Sequence, residues 1–301
     1  MPAVALDSFM SEKLEALYGE TQVDVEGPVD SDAKSYIAGL FRRAGTAAKY
    51  AMGRHGLHPQ DVGVESIKAD PIEPSDGFIG GHTNGRTTAI NPYMLPSTDY
   101  YWKFRDWMSG TRGKLAEYLH ERYGTPARAD ESARLVAGHE MLHDLTQLRP
   151  MQRSDGSWTK PFAHALHGRL TERYSENLPR GLKWLAPMLA GIAVRPLVEG
   201  INEVATDEVY NGMSAFDVRR TRSGDPTTYG VYATAAADAL IRMDQGEGAL
   251  PYYAHWAGGG GRQDLDHYID GFFGKLGQIY GERSGLQANY GAAPALQLCP
   301  I

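Results

Sequence analysis

"AGHEMLHDL", residues 137–145, places His139 and His143 four residues apart. Apolar residues surround this pair at helical spacing: Leu135, Val136, Leu142 and Leu145. Asp130, directly followed by a glutamate, has the character of a helix N-cap. The pattern therefore predicts a helix over 131–148, on which the two histidines lie one turn apart on the same face.

Two imidazoles in this arrangement can approach one tetrahedral zinc ion at the ~2.0–2.1 Å that Zn–N bonds require. Glu140, directly after His139, cannot reach the same coordination position, but its carboxylate can lean over the open side of the ion. From there it can take a proton from an attacking water. The motif predicts a zinc site with His139 and His143 as ligands and Glu140 as general base.

Two histidines leave a catalytic zinc one protein ligand short, and a carboxylate is a common completion. The segment "LVEGINEVATDEVY" (residues 197–210) places Glu203 and Asp207 one turn apart on a predicted helix. Glu203 is the expected third ligand, and Asp207 is expected to accept the N–H of a ligating imidazole. Glu199 lies one turn before Glu203 on the same face and is the alternative ligand.

"INEVATD" resembles the Ile-Asn-Glu-x-x-Ser/Thr-Asp signature of thermolysin-like metallopeptidases, the gluzincins. The resemblance implies that Glu203 is the third ligand and Asp207 its outer-shell partner. In aminopeptidase-type gluzincins a Glu followed by Gly is the ligand, and Glu199 fits that pattern. The likeness covers the two motifs, and their separation is longer than in thermolysin. It therefore points to the clan and implies zinc-dependent hydrolysis of a peptide or protein substrate.

The segment "GGHTNGRTTAINP" (residues 80–92) is similar to the strands that precede HExxH helices in many zincins. In those folds the edge strand holds a peptide substrate by β-augmentation. Asn84-Gly85 is a turn signal, and the alternation over 61–70 predicts a further strand. We expect His82 to be a loop histidine rather than a ligand.

Strand signals precede the histidine pair and helical patterns dominate after it, which predicts an α+β protein with a small sheet and a large helical C-terminal part. The helical patterns cover 33–54, 99–123, 161–176, 196–210, 228–243 and 264–282. We expect one zincin-like domain over 1–301. Its expected parts are an N-terminal helix (1–19) with an acidic linker (23–32), the sheet and motif helix (33–150), the helical part (151–285) and a tail (286–301).

Net charge is −7 and the pI is about 5.8, so no global basic field favours nucleic acid or an anionic membrane. Cys299 is the one cysteine, which excludes an internal disulfide and fits a reducing compartment. The N-terminus has no Sec-type signal pattern, so we expect a cytoplasmic protein, with export by another route left open. Charges and prolines interrupt the apolar stretch 182–198, which predicts a buried helix pair or turn rather than a membrane span.

Two further patterns favour structural roles. "PYYAHWAGGGG" (residues 251–261) places aromatic donors before a glycine run, and we expect a structural aromatic cluster rather than a lid. His164 and His167 lack a local third ligand and are expected on the surface or in packing. The alternative to a peptidase is a non-catalytic zinc-binding or protein-interaction protein that retains a zincin fold.

Overall fold

The structure is a computed structural model that describes residues 22–60, 64–73, 80–83, 87–112, 114–153, 155–223, 225 and 227–283. The helix predicted over 1–19, the tail over 286–301 and the Asn84-Gly85 turn lie outside these residues. The described chain is α+β, with a small four-stranded mixed sheet and mostly helical content, as the sequence predicts.

The chain divides into two compact units. The sheet unit contains the described residues of Val4–Ala51 and Gln60–Leu145, and the helical unit those of Met52–Pro59 and Thr146–Ile301. The elements of the first are β1 (Gln22–Glu26), α1 (Ser31–Arg54, which ends in the second unit), β2 (Val64–Ala69), β3 (Gly81–Thr83), β4 (Thr88–Ile90), α2 (Asp99–Gly110), α3 (Lys114–Tyr123) and α4 (Pro126–Leu142).

The sheet has the strand order β1-β2-β4-β3. The first three strands in this order are parallel, and β3 pairs antiparallel with β4, with His82 opposite Ala89. Helix α1 connects the parallel strands β1 and β2. The apolar face predicted for it is buried: Ile37, Leu40, Phe41, Ala44 and Ala48. The strands predicted within 61–70 and before Asn91-Pro92 are confirmed as β2 and β4.

A π-helix (His143–Leu148) carries the chain into the helical unit. The elements that follow are α5 (Phe162–Asn177), a 3₁₀ helix (Arg180–Leu185), α6 (Ala186–Asn211), α7 (Ala215–Arg222), α8 (Thr228–Arg242), α9 (Ala249–Ala257) and α10 (Arg262–Arg283). Helix α6 packs against α5 and α8, and α8 packs against α10. Buried alanines of α8 permit this close approach: Ala233, Ala235, Ala236, Ala237 and Ala239.

Aromatic rings complete the core of the helical unit. Phe162 stands edge-on to Tyr253 and Trp256 with ring centroids 5.0 Å apart in both pairs. Tyr268 is fully buried and donates a hydrogen bond to the carbonyl of Leu197 at 2.9 Å. The prediction that the aromatic residues of 251–261 form a structural cluster is therefore confirmed.

Several predicted element boundaries are wrong. The acidic linker predicted over 23–32 begins with β1, in which Val23 and Val25 alternate with acids and pair with β2. The pattern over 99–123 is two helices, α2 and α3.

The motif helix also starts earlier than predicted. It begins at Pro126, because the Thr125 hydroxyl accepts the backbone N–H of Arg128 at 3.3 Å. Asp130 is not the cap. Its carboxylate accepts the Tyr36 hydroxyl and pairs with Arg134.

The stretch 182–198 is neither the buried helix pair nor the turn that the sequence predicts. The 3₁₀ helix and α6 form a helical run, Arg180–Asn211, with Pro196 inside α6. By length and composition alone this run could cross a membrane, and these two properties are weak evidence for a membrane span. Of its most apolar window, 33% is buried. Its first half exposes several large apolar side chains.

Candidate metal centre

His139 and His143 share one face at the end of α4, as the motif predicts. Their rings lie 4.6 Å apart between centroids, at an interplanar angle of 79°. The backbone N–H of His143 bonds the carbonyls of His139 and Glu140, and the π-helix begins there. Single π-turns inside α-helices occur frequently at functional sites. His143 is 7% exposed and His139 half-buried, so both imidazoles are largely withdrawn from water.

Glu140 is buried against the sheet, with 5% of its surface exposed. The Thr83 hydroxyl donates a hydrogen bond to Oε2 of Glu140 at 2.7 Å, and the Thr88 hydroxyl lies 3.3 Å from that of Thr83. Thr83 therefore fixes the carboxylate that the motif predicts as general base. The sequence analysis missed this residue, because a threonine in a short strand carries no signal of the side chain that it meets.

Strand β3 approaches α4 very closely at Gly81. A Cβ placed there would lie 2.9 Å from both the Ala89 carbonyl oxygen and a methyl of Val136, and 3.0 Å from Cγ of Glu140. Glycine is therefore required for the strand to pass this close to the helix. Within the described sheet, β3 is an edge strand with β4 as its one neighbour.

His82 lies inside β3, not in the loop that the sequence predicts. Successive side chains of a strand point to opposite faces. Because Thr83 points to Glu140, the His82 side chain points away from that carboxylate.

Among the described residues, a group that could hold a metal ion consists of His139, His143 and Glu199. One ligand atom each from His139, His143 and Glu199 lies within 4.8 Å of the other two. Glu203, the expected third ligand, is not in this group, and the choice between Glu203 and Glu199 stays a prediction. Both glutamates lie on α6 one turn apart, so the sequence pattern alone does not separate them.

Asp207 binds Arg222 of α7, and the charge of Glu203 also acts on that guanidinium. Asp207 is 1% exposed and accepts two hydrogen bonds from the guanidinium, both at 3.0 Å, and a third from Asn211 at 2.8 Å. Burial lowers the pKa of Arg222, but the bonds to Asp207 and the charges of Asp207, Glu203 and Asp225 outweigh it and hold that pKa above its usual value. Asp207 therefore anchors Arg222, a contact that the sequence analysis did not foresee.

Gln147 fixes the backbone next to Glu199. It lies in the π-helix, one turn after His143, and its Nε2 donates to the Val198 carbonyl and to the Tyr253 hydroxyl, both at 3.0 Å. Val198 directly precedes Glu199 in α6, so this amide holds the turn of helix that carries the carboxylate. Sequence reasoning missed Gln147, because its two partners are distant in the chain.

The second histidine pair has a packing contact. His167 Nε2 lies 3.1 Å from the carbonyl oxygen of Pro187, and His164 is exposed on the same helix. Neither belongs to the metal-type group found among the described residues.

No family model, curated protein or solved structure matches the chain. The likeness to gluzincins therefore rests on the two sequence motifs alone.

Proposed function

We propose that this protein is a zincin-like, zinc-dependent peptidase of the gluzincin type. His139, His143 and Glu199 would hold the metal, and Glu140 would act as general base. The observation that carries the proposal is the placement of Glu140. It is buried on the helix that presents the two neighbouring imidazoles, and its carboxylate is bonded to Thr83 of the edge strand.

The donor set fits zinc. Two imidazoles and one carboxylate are the protein ligands of many catalytic zinc sites, which keep a fourth position for water or substrate. Bound there, zinc would supply Lewis acidity, polarising a carbonyl and lowering the pKa of water. The sulfur-rich alternative is excluded, because Cys299 is the only cysteine of the chain.

Glu140 and strand β3 supply the protein groups that would act on the water and on the peptide. A peptide that pairs with β3, an edge strand of the described sheet, would lie along the strand whose Thr83 holds the Glu140 carboxylate. Glu140 takes a proton from the attacking water and returns it to the departing amine as the C–N bond breaks. Thr83 keeps the carboxylate aimed at this position, so it is a positioning residue.

The first test replaces Glu140 by Gln. We expect the variant to keep its zinc, because the ligands remain, and to lose hydrolysis about 10²–10⁴-fold, because the base is gone. The matched control is Glu131→Gln, an exposed carboxylate on the same helix, which should keep both zinc and activity. Zinc is measured by elemental analysis, and hydrolysis with a fluorogenic peptide library.

His139→Ala completes this experiment, since it should lose zinc and activity together. An active Glu140→Gln enzyme would place the base elsewhere. A wild-type protein that holds zinc but cleaves nothing in the library would support the non-catalytic zinc-binding alternative. Equal zinc contents in wild type and His139→Ala would remove the metal site.

A further inference from the structure

An exposed apolar stripe runs along the start of the helical run Arg180–Asn211. Leu182, Trp184, Met188 and Ile192 are 44%, 72%, 56% and 60% exposed. The last three are spaced by four residues, so in the helical part they lie on one face. Single exposed apolar residues are common on soluble proteins, but a contiguous row of this kind marks an interaction site. We name the segment 180–195 the stripe.

The opposite side of the same helix is anchored in the helical unit. Ala186, Ala190, Ala193 and Leu197 are buried, at 2% exposure or less. Nearer its end, α6 carries Glu199, Glu203 and Asp207. A helix that is packed on one face and acidic in its second half does not suit the interior of a bilayer. The stripe is therefore available for contact along its length, not for spanning.

The charges of the stripe differ in sign from those of the protein. From residue 177 to residue 198 the chain has no Asp or Glu, whereas Arg180, Lys183 and Arg195 are all exposed. The chain as a whole has a net charge of −7. The nearest acids upstream, Glu172 and Glu176, both pair with Arg262. At physiological ionic strength the Debye length is about 8 Å, so charges far from the stripe contribute little to a contact made there.

We propose that the stripe docks the protein on an anionic phospholipid membrane. Trp184, Met188 and Ile192 would enter the interface, with Arg180, Lys183 and Arg195 among the headgroups. Amphipathic helices that lie in the plane of a membrane combine an apolar face with Lys and Arg in this way. Tryptophan is enriched at that level of the bilayer.

The charge pattern favours a membrane over a second copy of the chain. A two-fold contact places the same patch on both sides of the interface. Because the stripe contains cations and no acid, such a contact would bring like charges together without a compensating carboxylate. The inference does not rest on the proposed zinc site, since none of the stripe residues belongs to it.

The test measures co-sedimentation with phosphatidylcholine vesicles that contain about one-quarter phosphatidylserine, and with phosphatidylcholine alone. The wild type should bind the anionic vesicles at least about tenfold more tightly. The triple variant Trp184→Ser/Met188→Ser/Ile192→Ser should lose this binding about tenfold or more, because it removes the inserted area. Its control is Trp158→Ser, a tryptophan that is 49% exposed in the same unit and should leave binding unchanged.

A charge comparison separates local docking from general electrostatics. Arg180→Glu/Lys183→Glu and Arg153→Glu/Lys160→Glu change the net charge equally and at exposed positions. Only the first pair should weaken vesicle binding. Equal losses in both pairs, or wild-type binding by the triple variant, would overturn the proposal.

Self-association is the remaining outcome. A wild type that sediments as a dimer and ignores vesicles, beside a monomeric triple variant, would also overturn the proposal and assign the stripe to a second copy. Circular dichroism verifies that each variant is folded.

Discussion

The third ligand is the position at which one side chain decides the chemistry of the candidate centre. Because Glu199 lies with the two imidazoles, Glu199→Ala should reduce zinc affinity most, through loss of a direct bond. Glu203→Ala should cost about 10–100-fold or less, as groups outside the ligand set usually do. Competition with a chromogenic chelator measures these affinities. A metal-free Glu203→Ala beside a fully metallated Glu199→Ala would return the ligand to the first choice of the sequence analysis.

Asp207 should behave differently from both glutamates. Removing it leaves the largely buried guanidinium of Arg222 without its bidentate partner. Breaking such a pair typically costs about 3–5 kcal/mol of folding free energy. We expect Asp207→Ala to lose most of that amount in urea unfolding, while its folded fraction retains zinc affinity. An unchanged free energy of unfolding, with zinc affinity reduced instead, would restore the expected contact with an imidazole.

The sequence predicts some of these residues better than others for a physical reason. His139, Glu140 and His143 are close in the chain, so helical periodicity alone places them. Glu199 and Glu203 both face one side of α6, and the choice between them depends on how far along the helix the partner lies. Thr83 and Gln147 act on groups brought to them by tertiary packing, which no local pattern encodes.

Helix α6 carries the candidate ligand, and its packing depends on one glycine. A Cβ at Gly200 would lie 2.6 Å from the carbonyl oxygen of Tyr232 and 2.8 Å from the Phe272 ring. Gly200→Ala should therefore destabilise the protein by about 1–3 kcal/mol, because the backbone of α8 must move.

The control lies on the same helix. Gly191 is exposed, and a Cβ there would meet nothing within 4 Å. Gly191→Ala should stabilise the protein by about 0.5–1 kcal/mol, because alanine loses less entropy in a helix. Urea unfolding of both variants is the measurement, and two changes of the same sign would show that Gly200 does not set the distance between α6 and α8.

The elements themselves were predicted unevenly. Long periodic helices such as α1 were found because one face is continuously apolar. The sequence predicts that α6 starts at Pro196, because proline is tolerated in the first turn of a helix. In the structure Pro196 lies inside α6, which is held in place by the buried residues Ala193 and Leu197 on either side. The sequence does not predict strand β1, because its acidic residues suggest a linker. The strand nevertheless pairs with β2 and buries one side chain, Val25.

For the molecule as a whole, the free energy of unfolding depends on pH through every group whose pKa differs between the folded and the unfolded chain. One carboxylate, Glu208, has a pKa that is raised rather than lowered by folding. Glu208 is a residue of α6 that faces the start of α9. There its carboxylate accepts the backbone N–H of Leu250 at 3.0 Å. His55 approaches it to 3.7 Å. Burial nonetheless raises the pKa of Glu208 to about 7, outweighing its backbone hydrogen bonds, and burial also lowers the pKa of His55. Desolvation therefore shifts both pKa values towards the neutral forms of the two groups.

The pH dependence of folding follows from that shift. The pKa of Glu208 is about 7 in the folded chain, against an ordinary value of 4.5. Between these values the folded protein holds a proton that the unfolded chain has released, so stability falls as pH rises. The contribution is fully present below pH 4.5 and is lost as pH passes about 7, a change of roughly 3 kcal/mol.

Glu208→Gln isolates this contribution, because the other titrating groups act equally in both proteins. The free energy of unfolding of the wild type minus that of the variant should be constant below pH 4.5 and should fall by roughly 3 kcal/mol by pH 8. Urea titrations at several pH values give this difference. If it stays flat, or rises with pH, then Glu208 is ionised in the folded protein and its pairing with His55 and α9 outweighs its burial.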